Sequence, residues 1–63
     1  MELTLKAARI NKGLTQIEVA RLLRISPATL SNYENGKAYP DVPIIKKMEK
    51  LYDVEYKDLI FLL

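Results

Sequence analysis

Two helix starts lie close together in the segment TQIEVARLLRISPATLSNYENG, residues 15–36. Thr15 and Glu18 form a capping-box pattern, in which the Thr15 hydroxyl can accept from the Glu18 amide and the Glu18 carboxylate can accept from the Thr15 amide. Ser26 is a favourable cap, and Pro27 suits a first helical position because its missing N–H costs nothing there. The segment therefore predicts two short helices, one beginning after Thr15 and the other at Pro27.

Only three residues, 24–26, separate these helices. A helix-turn-helix requires a turn of this length, and in that motif the second helix meets base edges in the DNA major groove while the first crosses the backbone. An ordinary helical hairpin in a small bundle has the same spacing. The predicted helix-turn-helix unit covers about residues 16–35, and Asn35-Gly36 closes its second helix.

Helix signals also lie outside this segment. Thr4 can cap a helix over residues 5–12, which Gly13 can end by adopting a left-handed conformation. Asp41 can cap a further helix, and a short last helix is predicted at about Tyr56–Phe61. No strand-length alternation of apolar and polar residues is present, so the predicted fold class is all-α with five helices. The apolar stripe predicted for the fourth helix consists of Val42, Ile45, Met48 and Tyr52.

The composition excludes several kinds of site. The chain has 63 residues, which suits a single domain over residues 1–63, and it contains no Cys and no His. Disulfides, thiolate or imidazole metal sites and the commonest catalytic base are therefore missing, so we expect no enzymatic activity, no metal and no cofactor. No feature indicates a small-molecule ligand. No apolar run approaches the roughly 20 residues that span a bilayer, and residues 1–4 lack a signal-like pattern, so we expect a cytoplasmic protein without membrane insertion.

The charge is distributed unevenly along the chain. The formal net charge is +2, which by itself says little about partners. Residues 1–40 carry six basic and three acidic residues, whereas residues 41–63 carry four basic and five acidic residues. A polyanion would therefore bind the first part of the chain, which contains the predicted helix-turn-helix.

The chain resembles a known family at positions spread along most of its length. The matching residues are Arg9, Gly13-Leu14-Thr15-Gln16, Val19-Ala20, Leu23, Ile25-Ser26, Leu30-Ser31, Glu34-Asn35-Gly36-Lys37 and Pro40, and the similarity continues through Val54 and Asp58-Leu59. This combination is similar to the lambda-repressor-like helix-turn-helix family, also called Cro-type or XRE. The resemblance implies a compact five-helix domain that binds double-stranded DNA.

The resemblance also implies roles for individual positions. Base contacts would come from the second helix of the unit, at Pro27, Ala28 and Asn32, flanked by Thr29 and Ser31. Contacts to DNA phosphates would come from positions around that helix, at Gln16, Asn35 and Lys37, with Tyr33 as a further candidate. Gln16 would otherwise be an ordinary helix-start residue, and Tyr33 would otherwise pack in the core. Arg9 and Glu34 match a pair that forms a structural salt bridge and reads no bases.

The predicted recognition segment, which is the part of the second helix expected to contact bases, differs from a recognition helix rich in basic residues. Residues 26–33 contain no Arg or Lys, so bidentate contacts to guanine are not available from this helix. Asn32 can pair with adenine, while Pro27 and Ala28 can pack on thymine methyl groups, which leads to the hypothesis of A·T-rich half-sites. Arg24 replaces the glycine usual in the turn, so the turn is open to a different backbone geometry. Its side chain could add a phosphate contact or lie in solvent, and solvent is the favoured interpretation.

Three further residues have two interpretations each. Ile17 and Leu22 stand where the family usually carries polar residues, so they either extend the core or form an exposed apolar patch. Tyr39 lies near the recognition segment, where its hydroxyl could donate to a phosphate, although packing is the favoured interpretation. The sequence does not decide between these alternatives for Ile17 and Leu22.

The function expected from these observations is sequence-specific binding of double-stranded DNA as a transcriptional regulator, most simply a repressor of phage or mobile-element type. The alternative is an antitoxin-like or protein-interaction module on the same fold. Family members generally bind two half-sites as dimers, and the apolar segment Leu59–Leu63 suggests a homodimer interface. The alternative is that this segment only covers the core of its own chain, or that the sequence is part of a longer protein.

Overall fold

Four α-helices form the framework of residues 2–61, the part of the chain that the computed structural model describes. They are α1 (Leu5–Asn11), α2 (Gln16–Leu23), α3 (Pro27–Glu34) and α4 (Val42–Tyr52). A 3-10 helix follows at Tyr56–Asp58, and two short strands, β1 (Leu3–Thr4) and β2 (Leu59–Ile60), lie near the two ends of the described chain. None of the helices in this range has the length and apolarity needed to cross a membrane.

Each α-helix begins with the predicted side-chain cap. In each helix a side-chain oxygen of the cap residue accepts a hydrogen bond of 3.0–3.1 Å from a backbone amide of the first turn. The cap residues are Thr4 in α1, Thr15 in α2, Ser26 in α3 and Asp41 in α4. The capping box of α2 is complete, because the Thr15 amide also donates to Glu18 Oε1 at 3.0 Å. This backbone hydrogen bond lowers the pKa of Glu18. Each cap typically contributes about 1 kcal/mol, so the helix starts are encoded locally.

Glycine ends two helices as expected. Gly13 after α1 and Gly36 after α3 have φ values of 68° and 76°, in the left-handed region that glycine enters without steric cost. After α3, the Lys37 amide returns to the Asn32 carbonyl at 2.9 Å, which satisfies a carbonyl of the last turn.

The hydrophobic core lies between the four helices and β2. Its members are all buried, and they are Leu5, Ala8, Val19, Ala20, Leu23, Leu30, Met48, Tyr52 and Leu59. Ile45 is buried as well, so most of the predicted α4 stripe is confirmed. Val42 is an exception, since it is 63% exposed at the first position of α4, where no other element covers it.

The predicted fifth helix is wrong. The 3-10 turn at Tyr56–Asp58 ends in β2, which pairs in parallel with β1 in the register Leu3 to Leu59 and Thr4 to Ile60. The backbone groups of β2 therefore bond to residues distant in sequence instead of continuing a helix. In this extended form Leu59 points into the core while Ile60 stays 40% exposed, as alternation along a strand requires. The all-α framework holds, with four α-helices and this short parallel pair.

Candidate nucleic-acid interface

The turn between α2 and α3 has a defined left-handed step at Arg24. Its backbone angles are φ 58° and ψ 43°, and the following Ile25 amide donates to the Ala20 carbonyl at 3.0 Å. Together these features form a Schellman-type helix end, which usually places glycine at the left-handed position. Arg24 therefore adopts the conformation that glycine favours, and its side chain is exposed, as expected.

Helix α3 has one anchored face and one open face. Leu30 is completely buried and Glu34 is 5% exposed, so these two residues hold the helix against the body. Ala28 and Asn32 are exposed and lie one turn apart, which places them on the same side of the helix. Pro27 is exposed beside them at the N-terminus of α3. The open face is therefore formed by Pro27, Ala28 and Asn32, which are predicted to contact bases.

The polar side chains of α3 differ in whether they already form hydrogen bonds within the protein. The Thr29 hydroxyl lies 2.9 Å from the Ser26 hydroxyl, and the Ser31 hydroxyl accepts from Asn35 Nδ2 at 3.2 Å. Thr29 and Ser31 are also half-buried. Within residues 2–61 no group bonds the side-chain amide of Asn32. Asn32 therefore presents a donor and an acceptor to an incoming ligand.

A buried ion pair joins α1 to α3. Arg9 Nε donates to Glu34 Oε2 at 2.8 Å, and Arg9 Nη2 donates to Glu34 Oε1 at 3.3 Å. Arg9 Nη1 also donates to the Leu14 carbonyl at 2.9 Å, just before α2. One guanidinium group thus connects α1, the start of α2 and the end of α3.

Gln16 belongs to the same network. Its Nε2 donates to Glu34 Oε1 at 3.0 Å, so the side chain is held at the N-terminus of α2, half-buried, beside the end of α3. An amide nitrogen carries two hydrogens, and this bond uses one of them. The second hydrogen and the free amides of the α2 N-terminus remain suited to an anion.

Tyr52 borders this network from α4, which the sequence could not reveal. Its hydroxyl is buried without a hydrogen-bond partner among residues 2–61. Burial, with a smaller contribution from the charge of Glu34, raises the pKa of Tyr52 to about 12. A neutral phenol therefore lies next to the ion pair at all ordinary pH values. The sequence marked Tyr52 as a core residue, but no local pattern connects α4 to Glu34.

The other tyrosines separate into two environments. Tyr33 on α3 is half-buried against the core. The Tyr39 hydroxyl lies 2.7 Å from the Tyr56 hydroxyl, and the Tyr39 ring lies 4.7 Å from the Phe61 ring, centroid to centroid. The hydrogen bond with Tyr56 raises the pKa of Tyr39. Tyr39 thus packs against the end of the described chain, which agrees with the favoured interpretation.

The two positions after α3 complete the candidate surface. Asn35 and Lys37 are exposed, and the bond from the Lys37 amide to the Asn32 carbonyl fixes the chain direction there. No carboxylate within residues 2–61 pairs with Lys37. The Lys37 ammonium group is therefore available to a polyanion.

Ile17 and Leu22 form exposed apolar surface on α2. Ile17 is 61% exposed and Leu22 is 58% exposed, which decides the alternative left open by the sequence. At the other end of the fold, Leu59 is buried in its own core, whereas Phe61 is half-buried. Leu62 and Leu63, the rest of the predicted dimer segment, lie outside the described residues.

Comparison with known proteins adds a family match. A family model described as helix-turn-helix matches residues 5–59. Multiprotein-bridging factor 1c from Arabidopsis thaliana is 32% identical over 60 residues, which cover 95% of this chain and 40% of that protein. The HTH-type transcriptional activator BcrR from Enterococcus faecalis is 34% identical over 56 residues, which cover 89% of this chain and 28% of that protein.

A third similar protein is named as an antitoxin and not as a transcription factor. Antitoxin PezA from Streptococcus pneumoniae is 36% identical over 56 residues, which cover 89% of this chain and 35% of that protein. The chain therefore spans less than half the length of each of these three relatives.

Proposed function

The chain belongs to the helix-turn-helix family of XRE type, and we propose that it binds double-stranded DNA sequence-specifically as a transcriptional regulator, with α3 in the major groove. The open face of α3 carries this proposal. Ala28 and Asn32 are exposed one turn apart while Leu30 and Glu34 anchor the opposite face. A rigid helix with a free amide at its outer surface suits recognition of base edges.

Asn32 is proposed as the main hydrogen-bonding reader. Its unengaged amide can pair with both the acceptor and the donor that adenine presents in the major groove. Pro27 and Ala28 supply apolar contacts that suit thymine methyl groups. Thr29 and Ser31 serve as secondary contacts, because their hydroxyls are already bonded to Ser26 and Asn35. We therefore propose a preference for A·T pairs opposite Ala28 and Asn32.

Phosphate contacts are proposed on both sides of α3. Gln16 offers its second amide hydrogen together with the N-terminal amides of α2, and Lys37 offers an ammonium group that pairs with no carboxylate of residues 2–61. Asn35 retains its carbonyl oxygen and one amide hydrogen after bonding Ser31. Tyr33 contributes less, since its ring is half-buried against the core. Arg24 is proposed to remain in solvent.

A homodimer is proposed through the aromatic face, defined here as Tyr39, Tyr56 and Phe61. Val42 is exposed beside it, and Tyr39, Val42 and Tyr56 line an apolar groove of about 320 Å³. Of the predicted dimer segment Leu59–Leu63, Leu59 is left out of the proposed interface, because it is buried in the core of its own chain. A dimer that binds two half-sites at once binds DNA more tightly than a monomer on one half-site, although the contacts within each half-site stay the same.

The proposed regulatory role is repression of phage or mobile-element type, supported by the resemblance of the chain as a whole to the lambda-repressor-like family. The alternative is a protein-interaction or antitoxin-like module. The names of the bridging-factor and antitoxin relatives and the exposed Ile17 and Leu22 favour that alternative.

Selection of bound sequences from a random double-stranded DNA pool tests the proposal. The expected result is an A·T-rich pair of half-sites whose centres lie about 10 base pairs apart. Asn32→Ala should lose the preference at one position per half-site. Enrichment of no sequence would favour the interaction module, and G·C at the positions facing Asn32 and Ala28 would contradict the proposed readout.

A further inference from the structure

A shallow apolar groove lies between the C-terminal half of α2 and α4. It has a volume of about 300 Å³ and is lined by Leu22, Leu23, Lys47, Lys50 and Leu51. Leu23 is buried at its floor, Leu51 is half-buried, and Leu22 is 58% exposed at its edge. The apolar lining of the groove thus extends from the buried Leu23 to the exposed side chain of Leu22.

Two lysine side chains lie beside these leucines. Lys47 and Lys50 are three residues apart on α4, so they lie on the same side of the helix, and both are exposed. No carboxylate within residues 2–61 forms an ion pair with either of them. The groove therefore combines leucine side chains with two unneutralised ammonium groups, although residues 41–63 are acidic overall.

The groove does not overlap the candidate nucleic-acid interface. Leu22 follows Gln16 by six residues, which rotates it by about 120° around the α2 axis and moves it about 9 Å along it. The groove is lined by residues of α2 and α4, and among the described residues none of α3 or of 35–37 takes part in the lining. An occupant of the groove and DNA on α3 can therefore bind at the same time.

We propose that this groove docks an acidic amphipathic helix of a protein partner, with apolar side chains on Leu22, Leu23 and Leu51 and carboxylates against Lys47 and Lys50. The apolar face would repeat at intervals of three and four residues, the pattern by which helices occupy apolar grooves. Opposite charges at the rim select the partner and speed the encounter.

Charge complementarity favours this occupant over the others. A second copy docked symmetrically would place Lys47 and Lys50 against the same two lysines, which repel. A nucleic acid would satisfy the lysines but would leave the leucine floor uncovered. The groove volume is also at the lower end of the roughly 300–1,000 Å³ typical of small-molecule sites, and the groove is widely open to solvent.

Selection of displayed peptides against the immobilised full chain tests the inference, and it needs no DNA binding. The library contains random peptides of about three helical turns. Enriched sequences are expected to combine Asp or Glu with Leu, Ile or Phe at helical spacing. Failure to enrich any peptide, or enrichment without acidic residues, would overturn the inference while leaving the proposed DNA binding untouched.

The most enriched peptide is then synthesised and titrated against variants. The charge-reversed variant Lys47→Glu/Lys50→Glu is expected to bind it about tenfold more weakly, or weaker still. A matching peptide with Lys in place of its acidic residues should bind the charge-reversed variant better than the parent chain. Recovery by this charge exchange cannot arise from unfolding.

Two serine variants on α2 locate the peptide. Leu22→Ser is expected to weaken peptide binding and to keep DNA affinity, while Ile17→Ser serves as a matched control, because Ile17 is equally exposed on α2 but lies outside the groove. Peptide binding that resists Leu22→Ser, or that is lost with Ile17→Ser instead, would overturn the assignment of the groove.

Discussion

Gln16 and Glu34 are joined by a hydrogen bond of 3.0 Å between Nε2 and Oε1, across 18 positions of the chain. Glu34 is held in turn by Arg9, so the start of α2 and the end of α3 share one buried carboxylate. The proposed phosphate contact at Gln16 is therefore set relative to α3 by the fold. Movement of α2 against α3 would break this hydrogen bond and displace the proposed phosphate contact at Gln16.

Gln16→Ala removes a proposed phosphate donor and should weaken DNA binding about tenfold or less, by a similar factor for all sequences. Fluorescence anisotropy with a selected and a shuffled duplex measures both affinities. Gln16→Glu should be worse, since its carboxylate would face both Glu34 and a phosphate. A loss confined to the selected duplex would show that Gln16 reads bases.

Removal of one partner of the Arg9–Glu34 pair should cost about 3–5 kcal/mol, because the remaining charge stays buried without an opposite charge. A domain of this length has a total stability of roughly 3–9 kcal/mol, so Arg9→Met or Glu34→Leu should largely unfold it. The double variant Arg9→Met/Glu34→Leu should recover much of the loss. Urea denaturation measures the three stabilities, and strictly additive losses would contradict this coupling.

Asn32→Ala and Lys37→Ala should weaken DNA binding in different ways. Asn32→Ala should relax the preference at one base position, at a cost of about 1–3 kcal/mol on the selected sequence. Lys37→Ala should weaken all sequences about equally and reduce the slope of log affinity against log salt by about 1. Binding isotherms at several salt concentrations separate the two effects. An unchanged salt slope for Lys37→Ala would exclude its phosphate contact.

Tyr52→Phe should change stability little near neutral pH, or increase it slightly, because the hydroxyl has no partner among residues 2–61. The stabilities of the parent chain and of Tyr52→Phe should differ in their pH dependence at alkaline pH. The pKa of Tyr52 is about 12 in the folded chain and about 10 in an unfolded one, so the unfolded state loses its proton first. The stabilising effect of this difference is complete below pH 10 and is lost between about pH 10 and 12.

Denaturation curves of the parent and Tyr52→Phe across this alkaline range give the comparison. The parent chain should lose stability more steeply, and Tyr33→Phe serves as the control with a half-buried ring. Parallel pH profiles for the parent and Tyr52→Phe would show that the Tyr52 hydroxyl is not protected as described.

Arg24→Gly should raise stability by about 0.5–1 kcal/mol, because glycine occupies the left-handed region without the steric cost that arginine bears. The greater freedom of glycine in the unfolded chain offsets part of the gain. Arg24→Val should lower stability, since a branched Cβ fits this conformation poorly. Urea denaturation gives the order of the three chains, and DNA affinity should not change if Arg24 lies in solvent.

Much of the candidate interface could be predicted from local sequence. Thr15, Ser26 and Pro27 mark the helix starts around the turn, and each acts on backbone groups within three residues of itself. The exposure of Ala28 and Asn32 follows from their spacing relative to the apolar Leu30. The bond from Gln16 to Glu34 could not be predicted in this way, because it depends on the angle at which two helices meet.

The same distinction applies to the whole chain. The sequence by itself determined where the four α-helices begin and where Gly13 and Gly36 end two of them, because capping and left-handed ends involve near neighbours. Only the tertiary structure decided that residues 59–60 form a strand, since their partners at residues 3–4 are brought close by the packed helices. It also decided that Ile17, Leu22 and Val42 remain exposed, because burial of an apolar side chain requires another element to cover it.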